Sequence, residues 1–130
     1  MKAKIGNEAV VRVPNRMGVM ASITKIVAEN GIDIEAVVAC VEGTDAVIQL
    51  VTSDHLRTMD VLREHKLNVQ EARVVLIEVP HEPGMLRNIT EKLAPEQIDL
   101  IYLYATASGH DKCLIVLSST NNNRAVVVLS

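Results

Sequence analysis

Apolar residues along this chain recur in two spacings, and the order of those spacings is the same in both halves. Ala9–Val13 and Val74–Val79 are short β-rich runs, each closed by a proline, which predicts strands. Val19, Ile23, Ile26 and Val27 then follow helical spacing, as do Met85, Ile89 and Leu93. Asn30-Gly31 stops the first of these helices and Pro95 the second. Ile32–Val41 and Ile98–Ala107 predict second strands. Turns follow at Glu42-Gly43-Thr44-Asp45 and Ser108-Gly109-His110-Asp111, and third strands at Ala46–Val51 and Lys112–Leu117. A further helix is predicted after Ser53-Asp54, and another after Ser119-Thr120, all four being good N-cap residues. Strand, helix, strand, strand, helix, twice over, gives an α+β sandwich with helices on one face of an antiparallel sheet.

The two halves are copies. Val13-Pro14 recurs as Val79-Pro80, an offset of 66 (80 − 14 = 66). That offset also maps Gly18 onto Gly84, Ile23-Thr24 onto Ile89-Thr90, Ile32-Asp33 onto Ile98-Asp99, and Gly43 onto Gly109. No gap is needed from Val11/Ile77 to Glu64/Ser130. The shared glycines and prolines fall where backbone geometry is restrictive, and chance similarity would not keep that punctuation in register. Leu67–Val79 contains no Gly, Pro or turn cluster, so the last strand of copy one should run straight into the first of copy two. The chain ends before copy two reaches a fourth strand. Residues 1–6 are the candidate for that missing edge strand, with the domains read as 1–72 and 73–130.

Composition sharpens this picture. There is no Trp or Phe and only two Tyr, so Val, Ile, Leu and Ala build the core, as suits thin layers of sheet and helix. A net charge of −3 with no Lys/Arg cluster argues against nucleic-acid binding, and the lack of Phe argues against an RNA-stacking sheet. No apolar run approaches the roughly 18–20 residues needed to span a bilayer. Met1–Glu8 has no signal-peptide core, and Cys40 and Cys113 have no metal or redox spacing. A cytoplasmic protein with two reduced cysteines, no metal and no cofactor is expected. No HExxH, phosphate-cradling GxxxxGK[ST] or supported nucleophile–base set occurs, so an enzyme is not expected. Acylphosphatases share the general architecture but need an anion-binding Arg in a glycine-rich turn. Arg16 echoes it, and Glu82 replaces it in copy two.

These elements and loops resemble the ACT domain family. Its hallmarks are a loop of the type Asn/Asp-x-Pro-Gly opening helix one, and a second strand beginning Gly-Ile-Asn/Asp-Ile. Copy one has Asn15-Arg16-Met17-Gly18 and Gly31-Ile32-Asp33-Ile34, and copy two has His81-Glu82-Pro83-Gly84 and Gln97-Ile98-Asp99-Leu100. Met17, His81 and Gln97 depart from the family's Pro, Asn/Asp and Gly. The resemblance implies two tandem ferredoxin-like βαββαβ sandwiches. It also implies a regulatory amino-acid sensor of the compact tandem kind that lacks a catalytic domain.

A physical case for such a ligand stands beside the resemblance. A glycine at a helix mouth lets a ligand approach free N–H groups that favour a carboxylate, which points to Gly18 and Gly84. Asn15 or His81 could hydrogen-bond the ligand, and Asp33 or Asp99 could accept from an ammonium group. With the loop neighbours the resemblance implies, the candidate ligand set is Asn15, Arg16, Met17, Gly18, Asp33 and Ile34 in copy one. In copy two it is His81, Glu82, Gly84, Met85, Asp99, Leu100 and Tyr102. The bland alternatives are plain turns at the glycines, solvated strand starts at the aspartates, a surface loop position for His81, and packing for Tyr102 and Tyr104. Strand two is apolar on both faces (Ile34, Ala36, Val38 and Val37, Ala39, Val41), which predicts self-association, most simply a homodimer. The competing function is a non-catalytic subunit that docks on an amino-acid biosynthetic enzyme without binding effector itself.

Overall fold

The computed structural model describes residues 1–107 and 111–130. The second predicted hairpin turn, Ser108-Gly109-His110-Asp111, therefore lies outside the described residues except for Asp111. Among the described residues, six strands and four helices follow in the order β1 (Lys2–Pro14), α1 (Val19–Glu29), β2 (Ile34–Glu42), β3 (Asp45–Thr52), α2 (His55–Glu64), β4 (Val69–Pro80), α3 (Met85–Leu93), β5 (Leu100–Ala107), β6 (Lys112–Ser119) and α4 (Asn122–Leu129). A single 3₁₀ turn, Ala94–Glu96, extends α3 up to and past Pro95.

The chain divides into two compact units: residues 7–72, and residues 1–6 with 73–130. In the first unit the strand order is β2-β3-β1-β4, with β3 antiparallel to both β2 and β1. Ala9, Val11 and Val13 alternate along β1 and meet Ile48 and Leu50 of β3, Ile23 and Val27 of α1, and Met59 and Leu62 of α2 in one buried core. Each such aliphatic side chain, fully buried, contributes roughly 1.5–3 kcal/mol over its exposed state.

The second unit repeats the plan with β6 antiparallel to β4 and β5. Val75, Ile77 and Val79 of β4, Ile89 and Leu93 of α3, and Ala125 and Leu129 of α4 form its core. Met1, Ala3 and Ile5 pack against that core, and the Ser130 hydroxyl reaches the Ala3 carbonyl at 3.5 Å. The opening residues of β1 thus stand where copy two has no strand of its own. Gly6 closes this segment, and a Cβ there would overlap Leu76 Cδ1 and Cγ.

Three helix ends share one geometry. At Gly31 the N–H bonds back to Ala28 and the next N–H, from Ile32, to Val27, with Gly31 left-handed at φ 69°. Lys66 and Gln97 do the same at φ 58° and 57°, without a glycine. Gln97, which replaces the family's Gly, therefore keeps its turn. The N-cap of α2 is Asp54, accepting from Arg57 N–H at 3.1 Å. The N-cap of α4 is Asn121 rather than Ser119 or Thr120, and it accepts from Arg124 N–H at 3.0 Å. Ser119 is held instead by Asn122, and Thr120 Oγ1 accepts from the Asp99 N–H.

Candidate functional site

Both β1–α1 and β4–α3 loops end on a left-handed glycine, Gly18 at φ 84° and Gly84 at φ 88°. No side chain caps either helix. A Cβ at these glycines would meet nothing within 4 Å, so glycine is required by φ and not by crowding. What that conformation leaves is open approach to the first turn of each helix.

In the first unit this mouth opens onto a cleft of about 460 Å³, within the size range of small-molecule sites. Its floor is apolar: Val13, Val19, Ile23, Ile26 and Leu67. One lip is the loop Arg16-Met17-Gly18 with Ser22, and the other is Lys66 and Asn68, just ahead of β4. The two lips meet because β4 lies beside β1, tied there by Arg12 N–H donating to the Asn68 carbonyl at 3.1 Å. The paired bonds of the α2 end, Lys66 N–H to Arg63 O and Leu67 N–H to Leu62 O, fix the second lip.

The polar lining is cationic. Arg12, Arg16 and Lys66 contribute guanidinium and ammonium groups, and no Asp, Glu or His lines the cleft. Arg12 is partly neutralised, donating to Glu42 at 2.7 Å and Asp45 at 3.3 Å. The hydrogen bond to Glu42, then that to Asp45, pushes its pKa above the ordinary arginine value. Arg16 and Lys66 carry no side-chain hydrogen bond or ion pair among the described residues. Ser22 Oγ donates to the Gly18 carbonyl at 3.2 Å.

Arg16, Met17 and Gly18 of the expected ligand set line this cleft. Asn15 is exposed beside it, its N–H held by the Thr44 carbonyl at 2.8 Å. Asp33 and Ile34 are not brought to it. Pro14 pairs with Asp45 and Ile34 with Thr52, so the two ends lie seven residues apart along β3 (52 − 45 = 7), roughly 23 Å. Within one unit Asp33 cannot share a ligand with Gly18. Its N–H is instead clamped by Ser53 Oγ at 3.0 Å. Asp99 and Leu100 stand in the same relation to Gly84, with Asp99 N–H held by Thr120 Oγ1. Leu100 and Met85 pack on the second core. Tyr102 stacks on Tyr104, ring centroids 6.4 Å apart. His81 and Glu82 are exposed at the second mouth. A shallower cleft of about 230 Å³ near that end of β4 takes in Met1, Lys2, Glu78, Asp111 and Lys112, none of them expected.

Arg12, Ser22, Lys66, Leu67 and Asn68 line the cleft without having been expected there from the sequence. The available signal was Arg12, a polar position in a strand leading straight to the loop. At the repeat offset, Arg12 and Arg16 become Glu78 and Glu82, so the charges at the two mouths are opposite. Even the cross-strand pairing is reversed in sign, with Glu78 meeting Lys112 at 3.2 Å.

Among the described residues no group of three or more His, Cys, Asp or Glu could hold a metal ion, and no helix is long and apolar enough to cross a membrane. Cys40 and Cys113 are free.

A paired βαββ arrangement with glycine-opened helices defines the class, and the chain belongs to the ACT domain pair family, matched over residues 6–130. A solved protein from Bacteroides thetaiotaomicron has a TM-score of 0.90 at 21% identity, covering 98% of this chain and 88% of that one. The ligand-free regulatory subunit of aspartate kinase from Thermus thermophilus has a TM-score of 0.66 at 9% identity, covering 96% and 94%. A structure of aspartokinase alpha and beta subunits gives 0.65 at 17%, covering 99% and 95%. At these identities the likeness is one of fold. No curated protein matches the chain.

Proposed function

We propose that this ACT pair is a non-catalytic regulatory protein that binds an amino acid in the cleft at the mouth of α1. The observation that carries the reading is the cleft itself: an apolar floor, free cations on both lips and an uncapped helix start, a combination suited to a small molecule with a carboxylate. Arg16, Met17, Gly18 and Lys66 are its contacts in this reading. No Asp, Glu or His is among the lining residues, and the Ser22 hydroxyl already donates to the Gly18 carbonyl, which supports binding over catalysis. Effector binding would act through differential affinity for two arrangements of the protein. The resemblance in fold to an aspartate kinase regulatory subunit supports the same role, with a biosynthetic enzyme as partner and the cytoplasm as its place.

One observation favours a docking role alongside. Val37 and Val41 on the edge strand β2 are 43% and 58% exposed although they register with core residues Leu50 and Ala46 of β3. That apolar edge suits self-association as a homodimer or contact with an enzyme. Thermal-shift measurements against the twenty amino acids test the proposal. Stabilisation by one amino acid or a related pair is expected. A flat response, with the protein instead co-purifying with an enzyme, would replace the sensor by a docking subunit.

A further inference from the structure

The cleft has more to say about its ligand than that it carries a carboxylate. An α-amino acid with a neutral side chain presents one negative group and one positive group. Among the described residues the first-unit cleft has no carboxylate to pair with the positive one, only the neutral Ser22 and Asn68. Its two lips each carry a cation with no ion-pair partner among the described residues, Arg16 on the β1–α1 loop and Lys66 on the α2–β4 turn. Between them lies an aliphatic floor that suits a short carbon chain. We propose that the ligand is a small dicarboxylate, an acidic amino acid or its 2-oxo counterpart, with one carboxylate at each lip. The inference rests on the reading of the cleft as an effector site and narrows it.

The second unit supplies the contrast. Its mouth is built on the same left-handed glycine, yet Glu78 and Glu82 stand where the first has Arg12 and Arg16. The second mouth lacks those two arginines, so one molecule binds per chain, at the first. The amino group of an acidic amino acid is left to water, and a 2-oxo analogue keeps both carboxylates.

Lys66 also provides a clean handle. It holds a left-handed conformation that glycine adopts without strain, and Gln97 shows that the fold tolerates a non-glycine there. Lys66→Gly thus removes the cation while suiting the backbone. The experiment is calorimetric titration and thermal shift of the full chain with aspartate, glutamate, oxaloacetate, 2-oxoglutarate and succinate, and with leucine, threonine and lysine as neutral and basic probes. Expected is binding of one dicarboxylate per chain, weakened about tenfold or more in Lys66→Gly and in Arg16→Ser, with the melting temperature of unliganded Lys66→Gly unchanged or raised. Comparing the amino with the 2-oxo series identifies the source. If a neutral or basic amino acid binds in preference, the effector reading survives and the dicarboxylate inference falls. If none of the twenty amino acids or the dicarboxylates binds, both fall. Two molecules per chain, or dicarboxylate binding indifferent to both substitutions, would also overturn the inference.

Discussion

Gly6→Ala tests whether the opening residues of β1 complete the second unit. A Cβ at residue 6 would overlap Leu76 Cδ1 and lie 2.6 Å from its Cγ, far inside contact distance. Leu76 is half-buried on β4, so relief requires it to leave its rotamer. Overpacking of this kind costs about 1–3 kcal/mol. Replacing a strand glycine by alanine returns about 0.5–1 kcal/mol of backbone entropy, leaving a net loss of roughly 0–2.5 kcal/mol. Leu76→Ala alone removes part of a half-buried side chain and costs about 1–2.5 kcal/mol, below the range for full burial. In the double variant the overlap is gone and the new methyl occupies vacated space. Its loss should therefore fall short of the sum of the singles by about 1–3 kcal/mol. Urea unfolding followed by far-ultraviolet circular dichroism measures all three, since the chain has no Trp to report by fluorescence. A clearly stabilising Gly6→Ala, or strictly additive singles, would mean that residue 6 does not lie over Leu76, and the assignment of residues 1–6 to the second unit would fail.

Two further substitutions probe the mouths and their supports. Gly18→Ala and Gly84→Ala should each cost about 1–2 kcal/mol, and nearly equal amounts, because φ alone is at issue and neither Cβ meets an atom within 4 Å. Gly18→Asn should cost less, and urea midpoints showing widely different losses at the two glycines would contradict this. Asp54→Ala should remove the α2 cap and about 1 kcal/mol, and Asn121→Ala the same for α4, whereas Thr120→Ala should spare the helix start. Amide exchange at Arg57 and Arg124 reads the local loss, and unchanged protection in either capping variant would refute the assignment.

Much of the fold was legible because its boundaries sit on residues with few backbone options. Pro14, Gly18, Gly31 and Gly43 announced the turns of copy one, and Pro80, Gly84, Pro95 and Gly109 those of copy two. Lys66 gave no such notice, since a lysine in a left-handed turn is locally indistinguishable from one in a helix. Asn121 was passed over because Ser119 and Thr120, equally good cap formers, precede it; the structure spends them on tying β6 to Asn122 and to Asp99. Within one unit the structure keeps Asp33 away from Gly18, for a reason the sequence held. An eleven-residue crossover helix returns the chain to the far end of the sheet, so a residue just before β2 cannot meet one just after β1. The second lip was not legible, because Arg16 and Lys66 come together only when β4 lies beside β1.

The repeat separates what the backbone requires from what a ligand would require. Glycine is kept at both mouths, Gly18 and Gly84, because a φ near 85° admits little else at no cost. A proline closes the strand before each mouth, at Pro14 and Pro80, for a similar backbone reason. The exposed positions beside those glycines are free of any such demand, and there the copies differ in sign: Arg12 and Arg16 against Glu78 and Glu82. If the mouths only connected strands to helices, either charge would serve in either copy. Stability alone does not distinguish them, because exposed charges and the rim ion pairs of Arg12 and Glu78 contribute little to folding. A charge does matter where a small ion is to be admitted or refused. On that argument the two copies are one scaffold with two electrostatic selections, and exchanging the pairs (Arg12→Glu with Arg16→Glu, and Glu78→Arg with Glu82→Arg) should abolish anion binding at the first mouth.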